Sequence, residues 1–284
     1  MTNSIEVKGL NKRFDSFALE NISLTLPGGS IMGLIGENGA GKTTTIKCIL
    51  NLIRRDSGQI PLLGYDNVRE EHLAKQDVGV VLDECFFHDP LRPRDVEKIL
   101  APVFRDWDSQ LFRACLEKYQ LPENKPIKGF SRGMKMKLSL AAALAHHPRL
   151  LILDEATAGL DPVVRDEILD EFLGFIGDED HSILISSHIT SDLEKVADYV
   201  TYLHQGRVVL SDAKDTILDR YGRLACSAQE LSRVDPEDLV KVRRGSFQCE
   251  ALVTSRDAFA RKYPGLLVER VGLEDIMLFI GKGA

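Results

Sequence analysis

Hydrophobic and polar residues alternate with period two in "IEVKGL" and again in "NISLTL", the pattern of half-buried strands. The turn "PGGS" then leads into "IMGLI", a short apolar run that fits a buried strand. Next come the glycine-rich "GENGAGKTTT" and "IKCILNLI", whose apolar residues recur at helical spacing. A strand, a loop and a helix are therefore expected in succession. Farther on, "VGVVL", "LLILD" and "SILIS" are apolar runs bounded by turn or polar residues, the pattern of strands covered on both faces. Helical stretches lie between them, so the fold class is α/β.

Between about residues 83 and 148 the strand signal vanishes. Helices are expected around residues 94–101, 108–119 and 133–145, which makes a small helical insert of about residues 84–149. After Gly206, "RVVL" reads as a strand and residues 212–220 as a helix. The strand candidates "RLACSA", "SFQCEALV" and "LLVERV" then alternate with helices near residues 255–263 and 272–280. Residues 1–221 are expected to form the α/β unit, and residues 222–284 a small C-terminal α+β appendage.

Composition narrows the class of function. Hydrophobic residues make up 44% and charged residues 28% of the 284, as in an ordinary globular chain. The net charge of -7 gives no global reason to expect nucleic acid as a partner. The 5 cysteines are scattered without a CxxC pair, which suits a reducing, cytoplasmic compartment. Neighbouring His146 and His147 would point about 100° apart on a helix, a poor pair of metal ligands. No apolar run approaches the roughly 18–20 residues of a membrane-spanning helix. Any link to a membrane is expected to run through a partner.

The run Gly36-Glu37-Asn38-Gly39-Ala40-Gly41-Lys42-Thr43 fits the G-x-x-x-x-G-K-[ST] phosphate loop, placed after a strand and opening a helix. Gly39 and Gly41 let backbone N–H groups turn toward phosphate oxygens where a Cβ would obstruct them. Lys42 supplies a cation for the β- and γ-phosphates, and the Thr43 hydroxyl is a magnesium ligand. In "RLLILDEATAGLD" an apolar strand delivers Asp154 and Glu155 to the rim of the sheet. Asp154 suits magnesium held through water, and Glu155 suits the general base. "SILISSHIT" repeats the geometry and brings His188 within reach of a γ-phosphate oxygen.

"FSRGMKMKL" adds a local anomaly to this acidic chain. Ser131 and Gly133 open a helix whose first turns carry Arg132, Lys135 and Lys137. Cations at that end oppose the helix dipole, so the stretch calls for an anion.

With these residues assembled, the chain resembles the ATP-binding cassette (ABC) family of nucleotide-binding subunits from about Ile5 to Gly206. "GENGAGKTT", running through Thr44, resembles its Walker A motif, "LLILDE" its Walker B, "FSRGMK" its signature and "AGLD", ending in Asp161, its D-loop. His188 stands at the switch histidine, and Phe14, in "NKRF", where the family has an aromatic that stacks on adenine. The resemblance implies a P-loop NTPase core with N-terminal antiparallel strands and a helical subdomain. It also implies a head-to-tail homodimer or heterodimer in which each ATP lies between Walker A of one cassette and the signature, Ser131-Arg132-Gly133-Met134, of the other. The anion sought by "FSRGMKMKL" is then the γ-phosphate on the opposite subunit, met by Ser131 and the Gly133 backbone. Arg132 stands near that phosphate, and Lys135 and Lys137 are left as helix residues that are either solvated or facing the membrane partner. Closure on ATP and Mg2+, hydrolysis and reopening would drive an integral membrane permease, with this chain peripheral on its cytoplasmic face.

Two departures stand out. Where the family signature commonly reads LSGGQ, Arg132 replaces the first glycine and Met134 the glutamine. This variant is similar to exporter-type single-cassette subunits of drug, bacteriocin and antibiotic-response systems. At the Q-loop position the usual glutamine is Asp83, followed by Glu84. In "ECFFHDPLRP", Phe86 and Phe87 either receive a short helix of the permease or pack into the helical subdomain. The competing functions are an ABC ATPase acting on ribosomes or DNA, and a low-turnover regulatory cassette. Only about ninety residues, without sustained heptads, separate Lys42 from Ser131, too few for the long coiled coil of the DNA-repair members.

Overall fold

A computed structural model describes residues 2–245 and 248–281. The two alternating segments pair as the antiparallel strands β1 (Asn3–Arg13) and β2 (Ala18–Pro27). Their inward positions, Ile5, Val7, Leu10, Ile22, Leu24 and Leu26, are buried, and the period-two spacing is interrupted by a register shift between Val7 and Leu10. The apolar β3 (Ile31–Ile35) is buried at every position and feeds the glycine loop and helix α1 (Lys42–Ile49). Short strands β4 (Ser57–Gln59), β5 (Pro61–Leu62) and β6 (Tyr65–Asp66) then complete a sheet around β1.

Helix α2 (Glu71–Gln76) leads to β7 (Val78–Val81), after which no strand occurs until β8 (Leu150–Asp154). Helices α3 (Pro93–Leu100), α4 (Ser109–Lys118) and α5 (Arg132–Leu144) fill the interval, each within two residues of its expected bounds. Asp108 caps α4 by accepting from the Gln110 and Leu111 N–H groups, and Ser131 caps α5 by accepting from Met134 N–H. Beyond β8 come α6 (Pro162–Phe175), β9 (Ser182–Ser187), α7 (Thr190–Val196), β10 (Tyr199–His204) and β11 (Arg207–Ala213). Asp161 caps α6 through Val164 N–H, with Pro162 at the first helical position.

The central sheet has the order β11-β10-β3-β9-β8-β7, parallel except for β11. β3 lies between β9 and β10, so the glycine loop leaves the sheet beside the end of β9, with β8 one strand farther on. Ligands of parallel α/β sheets bind outside the carboxyl ends of the strands. Asp83, Asp154, Glu155 and His188 all stand at that rim, just after or at the ends of β7, β8 and β9.

Helix α8 (Lys214–Arg220) leads into β12 (Tyr221–Cys226), followed by α9 (Ala228–Leu231), β13 (Leu239–Arg244), β14 (Cys249–Thr254), α10 (Arg256–Lys262), β15 (Val268–Arg270) and α11 (Leu273–Gly281). The strands form an antiparallel sheet in the order β13-β14-β12-β15. Ser246 and Phe247, in the segment "SFQCEALV", lie outside the described residues. One apolar cluster of this segment gathers Leu224, Ala251, Val253 and Phe259. Leu252, Ile276 and Phe279 instead join the main core with Tyr202 and Leu193. Leu273 N–H donates to Glu194 at 2.5 Å, which ties α11 to α7. Strands β4, β5, β6, β10 and β13 were not expected from the sequence pattern.

Candidate functional site

The glycine loop wraps the start of α1 around an open cavity of about 520 Å3. Gly39 and Gly41 have φ of +86° and +111°, a conformation that L side chains rarely adopt. At Gly39 no atom lies within 4 Å of a built Cβ, so backbone conformation alone requires glycine there. At Gly41 a Cβ would come within 2.5 Å of Leu19 and 2.9 Å of Phe17, so the close neighbours are side chains of the chain itself. The cavity is lined by Glu37, Asn38, Gly39, Gly41, Lys42, Thr43 and Thr44 on one side and by Asp83, Arg132, Glu155 and His188 on the other.

Three side chains converge at its floor. Lys42, only 5% exposed, holds Glu155 Oε1 at 3.0 Å and donates to the Gly36 carbonyl at 2.8 Å. His188 Nδ1 lies 2.7 Å from Glu155 Oε2, where an ionised carboxylate accepts. Glu155 itself has φ of +52°, uncommon for a residue with a side chain and typical of functional sites. Its N–H is fixed by the Ser186 hydroxyl at 3.0 Å and the Ser186 carbonyl at 3.2 Å. Burial acts to raise the Glu155 carboxyl, but the Lys42 charge and hydrogen bond, with His188, outweigh it and hold the group below its ordinary value of 4.5.

The surrounding loops are tied to this floor. Thr157 donates to Asp192 at 2.7 Å and Arg165 Nε donates to the same carboxylate at 2.6 Å, which joins the segment after Glu155 to α6 and α7. Asp154 is 2% exposed and accepts from the Ser186 hydroxyl at 2.6 Å. It is not among the residues that line the cavity. With the Thr43 hydroxyl in the lining, the oxygens available match the hard donors magnesium takes.

Not every expected residue faces the cavity. Phe14 is 42% exposed, outside the lining, with the Lys12 ammonium 5.4 Å from its ring centroid. The ring that lines the cavity is Phe17, across a tight turn in which Phe14 N–H donates to the Phe17 carbonyl at 2.7 Å. Two rings flank that turn in the sequence, and nothing in their spacing says which turns inward. Ala158 is the other lining residue that motif reading missed. Gly36, Ala40, Ser131, Gly133, Met134 and Asp161 are outside the lining. Ser131 and Asp161 serve as helix caps, and a Cβ at Gly133 would come 3.2 Å from Val164.

The cations of "FSRGMKMKL" have carboxylate partners within the chain. Arg132 pairs with Asp83 at 2.6 Å, Lys135 with Asp89 at 3.1 Å and Lys137 with Glu167 at 2.6 Å. Lys135 and Lys137 are therefore not the simply solvated residues expected, because α5 runs beside segments that supply carboxylates. Phe86 and Phe87 divide: Phe86 is 73% exposed, while Phe87 packs against the main core.

Comparison with known proteins agrees with this geometry. A model of the ABC transporter family matches residues 19–158. The ABC transporter ATP-binding protein YtrB of Bacillus subtilis (strain 168) is 31% identical over 218 residues, 76% of this chain and 74% of that protein. The lantibiotic transport ATP-binding protein SrtF of Streptococcus pyogenes is 34% identical over 214 residues, 74% of this chain and 91% of that protein. A solved ATP-binding subunit of an ABC transporter superposes with a TM-score of 0.67 at 26% identity, covering 75% of this chain and 91% of that one. Loop, strand ends and relatives lead to one assignment: the chain belongs to the ATP-binding, ATP-hydrolysing subunits of the ABC transporter family.

Proposed function

We propose that this chain powers an exporter-type permease by hydrolysing ATP in the cavity between the glycine loop and the ends of β7, β8 and β9. The observation that carries the reading is the convergence of Lys42 and His188 on the Glu155 carboxylate at the cavity floor. Backbone N–H groups of residues 36–44 cradle the phosphates, Lys42 meets the β- and γ-oxygens, and Phe17, with Phe14 at the outer edge, offers the base an aromatic face. Bound magnesium would neutralise phosphate charge, held by Thr43 and, through water, by Asp154. Glu155 takes the proton of the attacking water, while His188 orients that carboxylate and stands beside the γ-phosphate.

Two such cassettes would close head to tail as a homodimer or heterodimer. Ser131 and the Gly133 backbone, at the N-terminus of α5, then meet the γ-phosphate held by the partner, with Arg132, Met134 and Asp161 beside that contact. The permease docks in a groove of about 330 Å3 lined by Val80, Leu82, Phe86, Phe87, Leu100 and Phe104. Its mostly apolar wall and the exposed Phe86 ring suit a short amphipathic helix. No helix among the described residues is long and apolar enough to cross a membrane. The chain would therefore sit peripherally, on the cytoplasmic side of that partner. Similarity to a protein named for lantibiotic transport supports the direction of export. The segment from residue 222 onward is read as an accessory unit braced on α7 through α11.

Steady phosphate release from Mg-ATP, lost in Glu155→Gln, tests the catalytic half. Recovery of an integral membrane protein with the tagged chain tests the transport half, and RNase-sensitive ribosome association in its place would contradict it.

A further inference from the structure

The two departures from the ABC pattern touch each other. Arg132 Nη2 lies 2.6 Å from Asp83 Oδ1, although 49 residues separate them in sequence. Both side chains line the same cavity as Lys42, Glu155 and His188. The guanidinium also covers the loop after Glu155: a Cβ at Gly159 would come 3.3 Å from Arg132 Cζ. Arg132 thus spans three segments of its own chain, the end of β7, the start of α5 and the approach to α6.

Charge gives this contact a purpose. A carboxylate at the rim of a cavity that takes a triphosphate adds like charge, which a neutral amide at that position does not. Asp83 would therefore repel ATP unless a cation stood against it. Arg132 is that cation, and the pair together presents no net charge.

We propose that Arg132 is a positioning residue for the nucleotide site of its own chain, holding Asp83 as a neutral ion pair so that a carboxylate can stand beside ATP without repelling it. This role is in cis, before any partner cassette arrives, and it rests on the reading of the cavity as the ATP site. Each side chain of the pair is 51% exposed, so the effect is modest and screened by salt. The sign of the effect separates it from a structural strut. Removing the arginine leaves an uncompensated carboxylate and weakens ATP binding. Removing the carboxylate leaves a free cation and does not weaken it.

The test is the ATP dissociation constant of the full chain at concentrations where it is monomeric, read by calorimetry at about 50 mM and about 500 mM salt. Arg132→Gln is expected to raise the constant about fivefold at low salt and to approach wild type at high salt. Adding Asp83→Asn to Arg132→Gln is expected to restore affinity, and Arg132→Lys, which keeps the charge, to retain most of it. Asp83→Asn alone should bind ATP at least as tightly as wild type. An Arg132→Gln defect that persists with Asp83→Asn, a defect insensitive to salt, or no defect in the monomer would overturn the proposal. Lys42→Ala separates the two levels. If it lowers ATP affinity by about 100-fold while Arg132→Gln shows no dependence on Asp83, the inference alone fails; if affinity stays within about threefold of wild type in Lys42→Ala, the site assignment fails and takes the inference with it.

Discussion

Lys42 Nζ lies 3.0 Å from Glu155 Oε1, so the lysine of the phosphate loop is held by the residue proposed as general base. Phosphate oxygens and the Glu155 carboxylate then compete for one ammonium. A phosphate that took the ammonium would leave Glu155 with His188 and without the Lys42 charge that offsets its burial.

Lys42→Ala removes both the phosphate contact and the counter-charge. ATP affinity should fall by about 100-fold, on the scale of a lost buried charge-assisted hydrogen bond, as measured by calorimetry. Affinity within about threefold of wild type would contradict the phosphate-loop assignment.

The depressed Glu155 carboxyl also sets an acid dependence. Its contribution to stability is fully present above the ordinary value of 4.5 and is lost as pH falls through the lower value of the folded state. The Tm of the nucleotide-free protein should therefore drop more steeply with acidification below that ordinary value than the Tm of Glu155→Gln. Parallel curves from scanning fluorimetry would show that Glu155 has no such linkage.

Ser131 combines a structural and a proposed trans role. Ser131→Ala removes the cap that accepts from Met134 N–H and should cost about 1 kcal/mol of stability, whereas Ser131→Gly should cost only a few tenths. Both should lose ATP-driven dimerisation in light scattering, because both remove the hydroxyl. Dimerisation retained by Ser131→Gly would place that hydroxyl outside the interface.

Phe86→Asp should abolish copurification with the permease while leaving Tm within about 2 °C of wild type, since an exposed ring holds little of the core. Undiminished copurification would move the docking surface elsewhere.

The sequence made the continuous features legible and left the convergent ones hidden. β3, β8 and β9 are unbroken apolar runs, and the glycine loop sits between β3 and α1 where its pattern demands. By contrast β5 and β6 have two residues each, too short to carry alternation, and β13 is only partly buried along its length. The inward turn of Phe17 depends on hairpin geometry, which neither aromatic encodes alone. The Arg132–Asp83 pair is a contact between two positions that each depart from the family pattern, and only the fold brings them together. The partners of Lys135 and Lys137 are hidden in the sequence for the same reason, since their carboxylates lie 46 and 30 residues away.

Whether Glu155 drives hydrolysis in a closed dimer is decided by phosphate release from Mg-ATP by the wild-type chain and by Glu155→Gln, with the oligomeric state of each followed by light scattering. Glu155→Gln should keep ATP, accumulate as a closed dimer and lose turnover by about 100-fold or more. Turnover at the wild-type rate, or a chain that stays monomeric at saturating ATP, would contradict that role.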